Sequence, residues 1–173
     1  KTVGVMGDKR TYEYTCLLRA VTSEDGMTAD FFPFSKNFFQ NVSNNIINQF
    51  KNIDICLFGT GMHDPKSEKR FNLDKIREIM EINYFGTINS INSVYDYFSE
   101  KKNGQLSIIS SVAGYRGLPA AGAYCASKSA LISYTESLYF DLKRKNVKVS
   151  IICPGFIKTP MTDQNDFPMP MLK

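Results

Sequence analysis

No apolar run in the 173 residues approaches the roughly 18 needed to span a membrane, and no charged-then-apolar leader is present; the longest such runs are strand-sized. Strong charge of one sign is also lacking. Lys and Arg total 21 against 17 Asp and Glu, a formal charge of +4. The basic residues are scattered, the densest group being Lys143-Arg144-Lys145, and they do not interleave with the aromatics. This excludes a nucleic-acid or membrane-surface footprint. The four cysteines, Cys16, Cys56, Cys125 and Cys153, form no CxxC pair and read as reduced and structural. His63, the only histidine, has no metal-ligand partner at useful spacing and reads as a solvated loop residue. Asn41-Val42-Ser43 matches a glycosylation acceptor by pattern alone, in a helical context without a leader. What is present is 43% hydrophobic, 13% aromatic and 22% charged residues, enough to bury a core. We therefore expect one globular domain over residues 1–173 in a soluble cytoplasmic protein.

From Phe38 onward, helix-period and strand-like segments alternate, the pattern of a parallel sheet covered by helices on both faces. Phe38, Phe39, Val42, Ile46, Ile47 and Phe50 recur at three- and four-residue steps and predict an amphipathic helix. Ile53 to Phe58 predicts a buried strand ending at Gly59-Thr60-Gly61. Asn72 is placed to cap a long helix, with Phe71 and Ile76 as a hydrophobic staple. The 3.6-residue period then runs from Leu73 to Phe98 across Gly86, and Asn103-Gly104 ends it. Leu106 to Ser110 predicts a strand, about Tyr124 to Lys143 a helix, and Val147 to Cys153 a strand closed by Pro154-Gly155. Before Phe38, strands over 2–5, 14–18 and near 27–32 leave connections too short for parallel crossovers. Either this part is not parallel or the chain lacks segments of a complete protein, and we favour the second.

Three segments carry chemistry: Ser110-Ser111-Val112-Ala113-Gly114, Tyr124-Cys125-Ala126-Ser127-Lys128 and Pro154-Gly155-Phe156-Ile157-Lys158-Thr159. Ser111 and Pro154 follow the carboxyl ends of strands, where open α/β sheets bind ligands. Tyr124 and Lys128 share a helix face at i and i+4. A neighbouring ammonium favours phenolate over phenol, each pKa unit of lowering being worth about 1.36 kcal/mol. A phenol tuned toward neutrality can exchange a proton with a carbonyl or alcohol oxygen, and Ser111 can hold that oxygen in line.

These segments, with Ser111 thirteen residues before Tyr124, resemble the short-chain dehydrogenase/reductase family. The resemblance runs from about Asn52 to Thr159. It implies an α/β Rossmann-like, doubly wound parallel sheet with incomplete amino- and carboxyl-terminal parts. It also implies an NAD- or NADP-dependent oxidoreductase that interconverts a small-molecule carbonyl and a secondary alcohol. On it, Tyr124 is the acid/base, Lys128 tunes Tyr124 and holds the nicotinamide ribose, and Ser111 positions the substrate carbonyl. The main-chain carbonyl of Asn83 would hold a relay water. Pro154, Gly155, Ile157 and Thr159 would line the nicotinamide. The family's habit of pairing through its two long helices implies a homodimer or homotetramer.

The departures are at the ends. The family's glycine-rich turn after the first strand has no counterpart, since Gly4 and Gly7 lead into Asp8-Lys9-Arg10. Phe58-Gly59-Thr60-Gly61 stands where Asn-Asn-Ala-Gly is usual, leaving Gly59 and Gly61 as cofactor contacts. Asp30 is the candidate for the acidic residue after the third strand, and Arg19 for a partner of a 2′-phosphate. Thr159-Pro160-Met161-Thr162 opens the substrate lid, and the last strand is not found. A non-catalytic relative that has lost dinucleotide binding is the alternative reading.

Overall fold

A computed structural model of the chain describes residues 2–6, 9–13, 16, 36–64, 70–158 and 162. The chain divides into two compact units, Lys1–Phe32 and Pro33–Lys173. In the first unit, β1 (Thr2–Met6) pairs antiparallel with β2 (Lys9–Glu13), from Thr2 opposite Glu13 to Met6 opposite Lys9. Lys9–Glu13, expected from the sequence as part of a connection between strands, is itself a strand. Of the two alternatives for this region, the described hairpin is of the non-parallel kind. The expected strands over 14–18 and 27–32 fall almost wholly outside the described residues, as do Arg19 and Asp30; Cys16 is in no regular element.

In the second unit, α1 (Lys36–Phe50) precedes a three-stranded parallel sheet in the order β3 (Ile55–Phe58), β4 (Gln105–Ile109), β5 (Lys148–Ile152). Between β3 and β4 run α2 (Leu73–Met80), a π-turn (Glu81–Phe85) and α3 (Gly86–Lys101); α4 (Gly122–Lys143) joins β4 to β5. This is the expected α/β Rossmann-like parallel sheet. Right-handed crossovers that step across the sheet in one direction place their helices on one face. Accordingly Leu106 and Ile108 of β4 pack against Ile91, Val94 and Phe98 of α3 and Leu131, Leu138 and Leu142 of α4. The other face carries Ile55 and Leu57, 63% and 60% exposed, beside a hydrogen-bonded row of Gln105, Ser107 and Ser150. α1 docks on the flank of α3, where Ser43 Oγ donates to the Ser93 carbonyl at 2.9 Å.

Local signals explain most boundaries. Asn72 is extended and its Oδ1 accepts from Lys75 N at 3.1 Å, the predicted cap. The staple does not form, because Phe71 is 90% exposed. The helix predicted across Gly86 is continuous in path but contains the π-turn, whose extra residue shifts the helical phase and turns both Ile82 and Asn83 inward. α3 ends on left-handed Lys102, and Gly104 follows at φ 123°, where a Cβ would also overlap the Phe98 ring. None of the described helices is long and apolar enough to cross a membrane.

Candidate active site

β4 ends at Ile109, and the chain turns through Ser110 and Ser111 into a 3-10 turn (Val112–Gly114) against the first half of α4. Ser111 caps this turn, its Oγ accepting from Ala113 N at 3.1 Å, and Ser110 Oγ donates to the Lys128 carbonyl at 2.8 Å. Gly114 makes the approach possible. A Cβ there would lie 2.7 Å from Ile132 Cδ1 and 3.0 Å from the Lys128 backbone, so only glycine lets the serine loop lie on α4. Val112 N donates to the Pro154 carbonyl at 3.0 Å, which brings the segment after β5 to the same edge.

The spacing argument placed Ser111, Tyr124 and Lys128 together, and the structure brings them together. The Ser111 hydroxyl stands beside the Tyr124 phenol and favours its ionised form. Lys128 Nζ lies 5.8 Å from the Tyr124 ring centroid. Lys128 is only 4% exposed, and its ammonium donates to the carbonyls of Thr60 and Ile109, each at 3.3 Å. The electrostatics differ from the expectation. Burial pushes the Tyr124 phenol above its ordinary 10, outweighing the lowering by the Ser111 hydroxyl, and Cys125 adds a smaller upward push. Burial also pushes Lys128 down to about 8, against a weaker opposing effect of Cys153. Desolvation thus comes first for both groups, where the sequence argument put the phenol–ammonium attraction first.

Asn83 is wholly buried and holds the loop after β3. Its Oδ1 accepts from Met62 N at 2.6 Å, and its Nδ2 donates to the Met62 carbonyl and to Ser127 Oγ, each at 2.9 Å. Ser127 Oγ in turn donates to the Tyr124 carbonyl at 2.7 Å. The Asn83 main-chain carbonyl accepts from Thr87 Oγ1 at 2.8 Å. This clamp explains where His63 goes: its ring sits 4.7 Å from the Tyr124 ring at 41°. His63, expected in solvent, and Ser127, not singled out at all, are the site residues that sequence reasoning missed. A polar residue one position before a candidate lysine was the signal for Ser127.

Gly61 flanks the lysine, and a Cβ there would stand 3.2 Å from Nζ; Gly59 faces Ile109 Cδ1 at 3.4 Å. Gly155 faces open space, and Ile157 is exposed. Thr159 lies outside the described residues, while Thr162 Oγ1 donates to the Ile157 carbonyl at 2.7 Å. The four cysteines are thiols outside any disulfide, Cys56 with its thiol pushed up to about 11 by burial. Among the described residues, no three His, Cys, Asp or Glu side chains are grouped to hold a metal ion.

Known proteins resemble this chain in two ways. An uncharacterized oxidoreductase of Myxococcus xanthus is 38% identical over 120 residues, 69% of this chain and 47% of that one, so the chain spans about half the length of this curated relative. A GMP synthase [glutamine-hydrolyzing] of Ruegeria sp. is 59% identical over 65 residues, 38% of this chain and 12% of that one. Among solved structures, ElxO with NADP bound superposes with a TM-score of 0.69 at 20% identity, over 78% of this chain and 56% of that one. NAD+-bound xylitol dehydrogenase superposes with a TM-score of 0.65 at 25% identity, over 72% and 48%. The sequence profile of short chain dehydrogenases matches residues 19–168, and the chain belongs to that family.

Proposed function

We propose that the chain is an NAD(P)-dependent oxidoreductase interconverting a small-molecule carbonyl and a secondary alcohol, with Tyr124 exchanging the proton at the substrate oxygen. The observation that carries this reading is the meeting of Ser111, Tyr124 and Lys128 at the carboxyl edge of the sheet, with the Lys128 ammonium buried 5.8 Å from the Tyr124 ring. A nicotinamide, when bound, supplies or takes the hydride. Raised by burial, Tyr124 is a neutral phenol at neutral pH, suited to giving its proton to a developing alkoxide. Ser111 hydrogen-bonds the same oxygen and fixes its direction. Lys128 holds the ribose hydroxyls through the side left open by Gly61. Asn83 keeps the 59–64 loop in register with α4, and its main-chain carbonyl is the point of contact for a relay water.

Pro154, Gly155, Ile157 and Thr159 line the nicotinamide, and Gly59 and Gly61 contact the cofactor through their main chain on its adenosine side. The NADP and NAD+ held by the two structural neighbours support either dinucleotide as the cofactor. In the cytoplasm the chain pairs with further copies into a dimer or tetramer through α2–α3 and α4, which expose Phe85, Tyr139 and Phe140. The test supplies NADH or NADPH with a panel of ketones and follows loss of the reduced nicotinamide together with the alcohol formed. Stoichiometric alcohol formation is the expected result. No turnover of any ketone with either donor would overturn the reading in favour of a non-catalytic relative.

A further inference from the structure

His63 stands at the carboxyl edge of the sheet, and the proposed reaction does not use it. Its ring centre lies 4.7 Å from that of Tyr124, with the planes tilted by 41°. The residue is half-buried. Its place is fixed from outside the loop, because Asn83 holds both backbone atoms of the preceding Met62, at 2.6 Å and 2.9 Å. Packing alone gives no reason for an imidazole here: a phenyl ring fills the same space without taking ring nitrogens partly out of water. A histidine held against the acid/base has its value in what those nitrogens bind.

The chemistry of that ligand follows from position and surroundings. Tyr124 and Ser111 address the reacting oxygen, and a ring packed on Tyr124 meets the part of a substrate next to that oxygen, not its far end. A neutral imidazole donates from one nitrogen and accepts at the other, and a hydroxyl, which also does both, is matched by either. The loops that leave the same edge expose apolar side chains, Val112 and Leu118 after β4 and Ile157 after β5. An apolar collar with an imidazole beside the acid/base suits a molecule that is apolar over most of its length and polar next to its carbonyl.

We infer that His63 determines specificity: its imidazole hydrogen-bonds a hydroxyl on the carbon next to the substrate carbonyl, so that the chain takes apolar α-hydroxy ketones in preference to plain ketones. The inference rests on the proposed function. The bond to His63 turns the ketone so that its carbonyl oxygen meets Tyr124 and Ser111, and a ketone without the hydroxyl loses that alignment.

The full chain is assayed with NADH and with NADPH on a straight-chain methyl ketone and on the hydroxymethyl ketone of equal chain length. We expect a higher kcat/KM for the hydroxymethyl ketone in the wild type. Because the added hydroxyl also activates the carbonyl, the preference is read against His63→Phe, which keeps a ring on Tyr124 and should cut it about five- to tenfold. His63→Gln, which restores a donor and an acceptor, should recover part of it. A residue that only packs would lower turnover of both ketones alike. A His63→Phe preference within about twofold of the wild type would therefore overturn the inference, as would a wild type that reduces the two ketones equally well, and both results leave the proposed function standing. Reduction of neither ketone with either donor would overturn the two together.

Discussion

The two ends of α4 bury side chains at different cost. Toward its carboxyl end, Leu138 and Leu142 enter the core with Phe98 and Leu106, and burial there is favourable outright. In its first two turns Ser127 and Lys128 are buried beside Ala123 and Cys125, and these two polar groups gain nothing from leaving water and must be matched by partners. Ser127 is matched by Asn83 and the Tyr124 carbonyl. Lys128 is matched by two carbonyls at 3.3 Å, and its depressed pKa records the remaining cost. One end of the helix therefore holds the fold together, while the other keeps costly groups where the proposed chemistry needs them.

That contrast can be broken by substitution. Leu142→Ala should have the largest effect on stability, a loss of about 2–5 kcal/mol in denaturant unfolding, with Tyr124 and Lys128 still in place. Lys128→Met should go the other way. Below pH 8 the folded chain carries a buried ammonium. Between about 8 and 10.5 the unfolded chain binds more protons than the folded one, so wild-type stability rises with pH across that window. The variant lacks this rise. It should be the more stable protein at pH 7 by up to about 3 kcal/mol, the gap closing by pH 10.5, and it should lose turnover. A variant less stable at pH 7 would show that the two carbonyl bonds outweigh desolvation. Ser127→Ala should be mildest, costing about 1–2 kcal/mol by leaving Asn83 Nδ2 one partner short.

What could be read from the sequence was whatever depends on spacing along one element. The Asn72 cap, the periods of α1 and α4 and the four-residue step from Tyr124 to Lys128 are local, and they appear where expected. The thirteen-residue step from Ser111 also held, because Gly114 permits the close approach that closes it. What could not be read depends on distant partners. His63 meets Tyr124 because Asn83, twenty residues further on, clamps Met62 on both backbone atoms. Asn83 faces inward because of a π-turn that leaves no mark in a 3.6-residue pattern. The order of influences on Tyr124 follows from how much water the loop excludes, which spacing does not encode.

The claim on which the rest depends is that the Tyr124 hydroxyl carries the proton. Its most direct test is Tyr124→Phe, which deletes one oxygen and keeps the ring against His63. With any reduced nicotinamide donor that the wild-type chain accepts, kcat for ketone reduction should fall by about a hundred- to ten-thousandfold while the melting temperature stays close to that of the wild type. A variant that turns over within about twofold of the wild type would contradict the claim.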